Sequence, residues 1–519
     1  MQSLLTSEHK KFIKKFFHKI NQSKSPFADS IKQLGKQMFT HMSIEEIESH
    51  DIDYWIETCS GMISSMSARK LKNPIIEVKD AVADANITQL LLINDNIPFL
   101  VDSATMACAE FGLKIKLISH PIIQIKGENK NRVLIEKPKK GETQAKSLIY
   151  IELRRIEDAE TKAALQKYLV NVFEQIRTAV NDWQPMLDAM DQARTSLGDL
   201  DNEQVRNQQQ AFIDWLVEDN FTFLGYRKYE RKNNLLQAIK ASGLGLLSSQ
   251  LDADANDASQ LSVDQYQIKK QSDLVVITKV NVISKVHRKG NLDYIGILET
   301  DANGKVIAEH RFIGLFTSAA LNTNSLKIPY INSKIKVLIK QFGFDPNSHS
   351  GKMLMHIIDT MPRDEVLQSN TKELFHAVYQ SLVIQEKITT QVTARQDKFN
   401  RFCSFMVYVP RDLFNTSTRL KIQQLLAEAV QGVEVEFAVA IDDSHYARLY
   451  VVIRDIKQFN DEVLKQIKAD VIEVVTTWED RLEMALTDRL GQEESLRLMT
   501  KFKNAFPVVY REDVSPWVA

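Results

Sequence analysis

Few residues in this chain combine a reactive type with a spacing that chemistry needs. His287-Arg288 and Asp293-Tyr294 flank a turn, and an imidazole near a carboxylate can act as a general acid–base pair. The same residues serve equally well as a buried or capping network at a sheet edge. Gly343-Phe344-Asp345-Pro346-Asn347-Ser348-His349-Ser350-Gly351-Lys352 approaches a phosphate loop, but its spacing is wrong and Met353 stands where Ser or Thr would reach Mg²⁺. Ser348 or Ser350 fits better as a helix cap. Gly243-Leu244-Gly245-Leu246-Leu247 lacks the third glycine of a dinucleotide fingerprint and reads as a junction between elements. His120 reads as a sheet residue, and His356 and His376 have no third metal ligand placed near them.

Asp95, Asn96, Pro98, Asp102 and Gly112 form the remaining group. A short loop feeding a helix N-terminus offers backbone N–H groups to a small anion such as an amino-acid carboxylate. Alternatively, Asp95 and Asn96 only make the turn and cap the helix. The residues alone leave both readings open.

The elements that position this loop are legible. Thr88–Ile93 is an apolar strand, and Phe99, Leu100, Ala104, Ala107, Cys108 and Phe111 mark one face of a helix over 98–111 that Gly112 ends. A strand over 113–125, interrupted at His120-Pro121, a basic loop (Lys126–Lys146) with a hairpin excursion in it, a strand over 147–153 and a helix over 158–183 complete the unit. The same order recurs later: strand 402–409, a turn from Pro410, helix 420–430, Gly432, strands 433–440 and 447–453, and helix 461–477. This is an internal βαββα repeat, which predicts antiparallel sheets with helices on one face.

Between the repeats, strands at 221–229, 274–280, 292–300 and 305–316 predict an antiparallel sheet, with Asp301-Ala302-Asn303-Gly304 as a hairpin turn and the polar stretch 248–264 as a loop. The expected organisation is a helical region at 1–72, a first βαββα unit at 75–185, and a linker at 186–208. It continues with an antiparallel sheet domain at 209–325, a helical motif at 328–395, a second βαββα unit at 400–477, and a helical connection at 478–519. Ser43-Ile44-Glu45-Glu46 is a capped helix start, and Lys10, Lys11, Lys14, Lys15 and Lys19 form the wet face of a first helix above Phe12, Phe16 and Phe17. The chain closes on Val514-Ser515-Pro516-Trp517-Val518-Ala519 without a polar ending, as if it continued.

The totals narrow the class. With 44% hydrophobic and 26% charged residues and a net charge of -1, nothing marks a nucleic-acid or membrane-surface protein. Three widely spaced cysteines suit a reduced, cytoplasmic protein. No apolar run can span a bilayer.

Several blocks taken in order carry a family resemblance: IPFLVDSATMACAEFGLKIKLISHP, DNFTFLGYRKYE, LDYIGILETDANGKVIAEHRFIGLFTSAA, GFDPNSHSGK, MPRDEVLQ and VYVPRDLFNT. Together they resemble the N-terminal part of the large bacterial NAD-dependent glutamate dehydrogenases. The resemblance implies an α+β multidomain fold with two ACT-like βαββα units, a PAS-like antiparallel sheet domain between them, and connecting helical segments. Asp95-Asn96-Ile97-Pro98 matches the ACT loop before the helix and Gly112 the glycine before the next strand, while Phe99 replaces the usual glycine after the proline. The resemblance further implies a non-catalytic regulatory and oligomerisation segment that senses an amino-acid effector, or a purely structural scaffold. It implies self-association, a downstream catalytic domain that holds NAD, no cofactor or metal in this segment, and oxidative deamination of L-glutamate as the parent reaction. The last strand of a full ACT fold is not evident in either unit, and Pro74–Val78 or another chain is expected to supply it.

Overall fold

A computed structural model of the chain describes residues 6–23, 25–68, 74–126, 133–134, 144–197, 202–248, 274–386, 389–442 and 444–518. The basic loop with its hairpin excursion and the polar stretch 248–264 fall largely outside these residues.

Four helices come first: α1 Ser7–Gln22, α2 Ala28–Phe39, α3 Ile44–Glu48 and α4 Ile52–Ala68. The lysines of α1 are exposed, while Phe12 and Phe16 are buried. Ser43 caps α3 reciprocally: its hydroxyl accepts from the Glu46 N–H at 3.2 Å, and its own N–H donates to the Glu46 carboxylate at 2.7 Å.

The first sheet contains β1 Ile75–Asp80, β2 Ile87–Asp95, β3 Ile115–Ser119, β4 Ile122–Lys126, β5 Val133–Leu134 and β6 Gln144–Arg154. Its order is β1-β2-β6-β4-β5, with β3 also paired to β6, and every pairing is antiparallel. Helix α5 (Leu100–Glu110) separates β2 from β3, and α6 (Ala159–Asn181) follows β6. The strand missing from the expected unit is β1, which pairs with β2 from Ile75↔Ile93 to Asp80↔Thr88.

Helices cover both faces of this sheet, not one. Successive side chains of a strand point to opposite faces. In β2, Leu90 and Leu92 join the core under α5 and α6, whereas Leu91 and Ile93 join Phe16, Phe39 and Trp55 of the N-terminal helices. β2 therefore reads as a continuous apolar run, as a strand buried on both sides must. The N-terminal helices are the second cover of the first sheet.

The described parts of the expected linker are helical. Helix α7 (Trp183–Ser196) runs into it and buries Met186, Ala189, Met190 and Ala193; α8 (Glu203–Trp215) follows. Of the polar residues that suggested a linker, Asp191, Gln192 and Thr195 lie on the exposed side of α7.

The central sheet comprises β7 Phe221–Lys232, β8 Leu235–Ala238, β9 Leu244–Gly245, β10 Val275–Ile283, β11 Asn291–Thr300 and β12 Val306–Phe316. The order is β10-β11-β12-β7-β8, with β9 on β7, again antiparallel throughout. The β11–β12 hairpin closes at Asp301–Gly304: the Gly304 N–H donates to Asp301 O at 2.8 Å, and Gly304 takes φ 76°, which glycine adopts without strain. Helices α9 Ser318–Asn322, α10 Ile331–Phe342, α11 His349–Thr360, α12 Arg363–Gln368 and α13 Thr371–Glu386 follow. One continuous apolar core runs from the α5/α6 side of the first sheet through α7, α8 and the central sheet into these helices.

The second repeat comprises β13 Gln391–Gln396, β14 Phe402–Pro410, α14 Thr416–Val430, β15 Glu434–Ile441, β16 Tyr446–Arg454 and α15 Asp461–Val475. Its order is β13-β14-β16-β15. β13 corresponds to β1, so both units have the plan ββαββα. It escaped the sequence reading because QVTARQ holds only Val392 and Ala394 as apolar residues. Helices α14 and α15 pack Ile422, Leu426, Ile467 and Val471 onto Phe405, Val407, Val451 and Ile453, forming a separate core. Gln431, at φ 52°, makes the left-handed cap of α14. Gly432 is required for a different reason: a Cβ there would lie 2.2 Å from Ile453 Cγ2 and 2.9 Å from Arg454 O. Helices α16 Trp478–Leu490, α17 Gln492–Phe502 and α18 Val508–Asp513 end the described chain.

Candidate functional site

The loop between β2 and α5 does not gather its five candidate residues around one space. Asp95 ends β2, and its carboxylate accepts from Lys146, its register partner on β6. Asn96 and Pro98 are exposed. Phe99 is the N-cap of α5, at φ 72° and ψ -2°, and no side chain caps the helix. The conformation that the usual glycine would adopt freely is thus held by a phenylalanine, which costs roughly 1 kcal/mol or more. Gly112 lies past the other end of the helix, about 16 Å away for eleven residues. It makes the left-handed stop there, at φ 66°.

A segment of the central unit occupies the first turn of α5. The His287 N–H donates to Ser103 Oγ at 3.0 Å, and His287 Nδ1 lies 3.1 Å from Asp102 Oδ2. The His287 ring sits 5.0 Å from that of Phe99, and Lys289 pairs with Glu110 at 2.9 Å. Phe99 and one carboxylate oxygen of the otherwise exposed Asp102 therefore meet the central unit, and the loop is a joint between units.

The acid–base reading of His287 and Asp293 also dissolves. Asp293 is buried, accepts from Lys279 Nζ at 2.6 Å and from the Phe316 N–H at 2.9 Å, while His287 points to the first unit. Ser348 caps α11 by accepting from the Gly351 N–H at 3.0 Å, so the loop that approaches a phosphate motif is a helix start. The Gly245 N–H donates to Asp182 at 2.8 Å, which makes the glycine pair a junction. His120 lies 2.7 Å from Ser147 Oγ within the first sheet. Among the described residues no cluster of three metal-ligating side chains occurs.

The space that does gather chemistry was not evident from sequence. A cavity of about 340 Å³ lies where the second sheet, the helical motif and the central sheet meet, and Lys279, Arg363, Asp364, Glu436, Tyr450 and Arg454 border it. Register places Arg454, Val452 and Tyr450 of β16 opposite Glu434, Glu436 and Ala438 of β15, on the face away from α14 and α15. Arg454 is fully buried. Its Nε donates to Glu436 at 3.0 Å and its Nη1 to Asn281 on β10 at 3.2 Å, while Nη2 has no partner. Lys279 pairs with Asp293 and lies 3.5 Å from Asp364. Burial pulls the Lys279 ammonium down, but the two carboxylates outweigh it and hold it up at about 12. Tyr450 OH donates to Glu365 at 2.9 Å, and Glu365 receives a two-pronged pair from Arg395, both contacts 2.9 Å. The faint sequence signal was an arginine closing an otherwise apolar strand, YARLYVVIR; its partners lie in other units.

This arrangement of two ββαββα sheets, a central antiparallel sheet and helical spacers defines a multidomain α+β protein of ACT type. Family models agree: glutamate dehydrogenase ACT1 domain over 34–169, helical motif 1 over 328–387, ACT2 domain over 391–479 and helical motif 2 over 485–519. A NAD-specific glutamate dehydrogenase of Pseudomonas aeruginosa is 31% identical over 446 residues, covering 83% of this chain and 27% of the relative. That of Halomonas elongata is 30% identical over 82% of this chain and 27% of its own. That of Mycobacterium tuberculosis is 22% identical over 82% and 26%. A PelD fragment from Pseudomonas aeruginosa aligns at 11% identity over 60% of this chain and 84% of its own, with a TM-score of 0.13, too low to inform the fold. The chain belongs to the large NAD-specific glutamate dehydrogenase family, and spans about a quarter of the length of these relatives.

Proposed function

We propose that residues 1–519 form a non-catalytic regulatory and oligomerisation segment of a cytoplasmic NAD-specific glutamate dehydrogenase, whose reaction converts L-glutamate, NAD and water to 2-oxoglutarate, ammonia and NADH. The observation that carries this reading is the run of four glutamate dehydrogenase family models in chain order, none of them a catalytic or nucleotide-binding domain by its description. Sheet topology supports it: all pairings among the described residues are antiparallel, whereas a dinucleotide crevice forms at the switch point of a parallel sheet. NAD would bind the catalytic domain of the same polypeptide. A central six-strand antiparallel sheet in which the long strands β7 and β12 are neighbours supports the PAS-like reading of 209–325.

Self-association is supported by β15. It is an edge strand with Phe437, Val439 and Ile441 exposed and an unpaired backbone rim, a ready template for another strand. Among the described residues no helix is long and apolar enough to cross a membrane. The test is direct: the purified chain with L-glutamate and NAD should produce no NADH, and turnover would refute the assignment. The docking of His287 onto α5 favours a second reading, a scaffold without effector binding, at least for the first unit. Calorimetric titration with the common amino acids separates the two, since a scaffold gives no heat and no thermal shift.

A further inference from the structure

We infer that the helical hairpin α16–α17, with α18 beside it, is the surface on which the part of the same polypeptide beyond residue 519 docks. The inference rests on the reading above that this chain is a segment of a longer enzyme, and goes further by naming the face that receives the rest.

Exposure is the first ground. Of the 25 large apolar side chains exposed among the described residues, six sit on these three helices of 13, 11 and 6 residues: Met484, Leu490, Leu496, Phe502, Val509 and Tyr510. Single exposed apolar residues are ordinary, whereas a gathering of them marks an interaction surface. Hairpin geometry brings two of them to one side. Ser495 is buried; its Oγ donates to Glu483 O at 3.2 Å and accepts from Thr487 Oγ1 at 3.0 Å. Residues 483, 487 and 495 thus mark the line along which the antiparallel helices touch. Met484 and Leu496 each come one residue after that line. A step of one residue turns about 100° around a helix, and in antiparallel helices that turn carries both side chains to the same flank. They are 60% and 56% exposed there, with half-buried Met499 one turn along from Leu496.

Rigidity is the second ground. Thr477 caps α16 reciprocally with Asp480, and Trp478 Nε1 donates to Val514 O at 2.8 Å. Arg511 Nε donates to Phe506 O at 2.7 Å, and the Phe506 ring packs 4.8 Å from that of Trp478. Apolar side chains fixed in advance lose little further freedom when a partner arrives.

Size and length choose the occupant. A stable interface with a free partner takes roughly 20–30 residues a side. Six apolar side chains fall well short of that. A tethered partner needs far less, because the link raises its effective concentration to about the millimolar range. The family's length provides such a tether: this chain spans about a quarter of its relatives, and the glutamate dehydrogenase helical motif 2 model covers 485–519. The occupant presents an apolar face, as burial against Met484 and Leu496 requires.

The experiment is thiol labelling with a maleimide. Cys59, Cys108 and Cys403 are fully buried, and burial pushes each thiol up, so the unsubstituted chain gives little background. Met484→Cys and Leu496→Cys should label readily in 1–519 and lose that labelling in the intact polypeptide, with unchanged melting temperatures. Val82→Cys, on the exposed turn between β1 and β2, should label in both. Equal labelling of the two hairpin variants in both chains would overturn the inference. So would protection within 1–519 that grows with concentration, which would seat a second copy there, or protection of Val82→Cys alongside the hairpin. NADH production by 1–519 would overturn only the regulatory reading, and a native polypeptide of 519 residues would end both.

Discussion

Arg395→Met should destabilise the second sheet by about 3–5 kcal/mol near neutral pH, and the cost should shrink on acidification. Arg395 on β13 and Glu365 on α12 are both nearly buried, at 8% and 10% side-chain exposure, and meet through two 2.9 Å bonds, with Gln368 accepting a third at 3.0 Å. Burial alone pushes the Glu365 carboxyl up; the Arg395 guanidinium outweighs it, and the net position is below the ordinary glutamate value. A carboxyl so depressed contributes stability that is fully present above the unfolded pKa of about 4.3 and is lost as pH falls through the folded pKa. Without the guanidinium, burial and the remaining hydroxyl partners act alone, and the carboxyl moves above its unfolded value. The sign then reverses: the variant gains stability as pH falls and Glu365 takes up a proton. The difference between wild type and variant should be largest near about pH 7 and clearly smaller at about pH 5. Amide hydrogen exchange of 391–410 reads this locally, which matters in a chain of several units that does not unfold in one step. A cost below about 1 kcal/mol, or one equal at both pH values, would refute the reasoning.

Three further predictions follow from other parts of the molecule. The Glu299 carboxyl, bonded to His310 at 2.6 Å and to Lys228 at 3.1 Å, is pulled down to about 2 chiefly by the His310 bond, a shift that solvent screening at this half-buried site reduces to about 1–2 kcal/mol of stability. This stability is present above about pH 4.5 and fades towards about pH 2, so the melting-temperature deficit of Glu299→Gln should be largest at neutral pH and vanish in acid. Gly432→Ala should cost about 1–3 kcal/mol by overpacking against Ile453 and lower the melting temperature, with an unchanged melt counting against the close approach. Val439→Lys should lower self-association in sedimentation experiments without altering the fold, because the residue is 40% exposed on the open edge of β15; identical sedimentation would remove that edge from the interface.

The sheets were legible in the sequence because their strands carry the signal themselves. β2 carries the unbroken apolar run Leu90–Ile93, β14 is apolar at most positions, and the hairpin between β11 and β12 is announced by Asp301 and Gly304. Failures came where the reason for a residue lies elsewhere in the chain. Residues 191–196 look like linker because one side of α7 is wet, although Ala193 is fully buried. Arg395 falls at the end of the expected helical motif, yet it is a strand position whose partner Glu365 is thirty residues earlier. Gly432 suggests a left-handed stop, but Gln431 makes that stop and Gly432 clears space for Ile453. The β2–α5 loop has the composition of an anion site, and only the fold reveals His287 seated on it. Arg454, Lys279 and Arg363 belong to three different units, so no local pattern announces the cavity they share.

The division of the apolar cores has a mechanical consequence. The first sheet, the central sheet and the helical motif are continuous with one another, so sliding any of them would open voids at close-packed layers. The second sheet has its own apolar interior and reaches its neighbours largely through directed polar contacts: Arg395 to Glu365, Arg448 to Thr360, Arg454 to Asn281 and Asp397 to Thr278. Among the described residues, apolar joints to the second sheet are small: a patch of Ile384, Met406, Tyr408 and Tyr446, and Phe399, which packs against Tyr294 in the main core. Ion pairs and hydrogen bonds can exchange partners over a few ångströms, whereas interlocked methyl groups cannot. The chain is thus built as a stiff chassis carrying one plate on a polar bearing, and because the contacts of that bearing are buried, salt screens them only weakly.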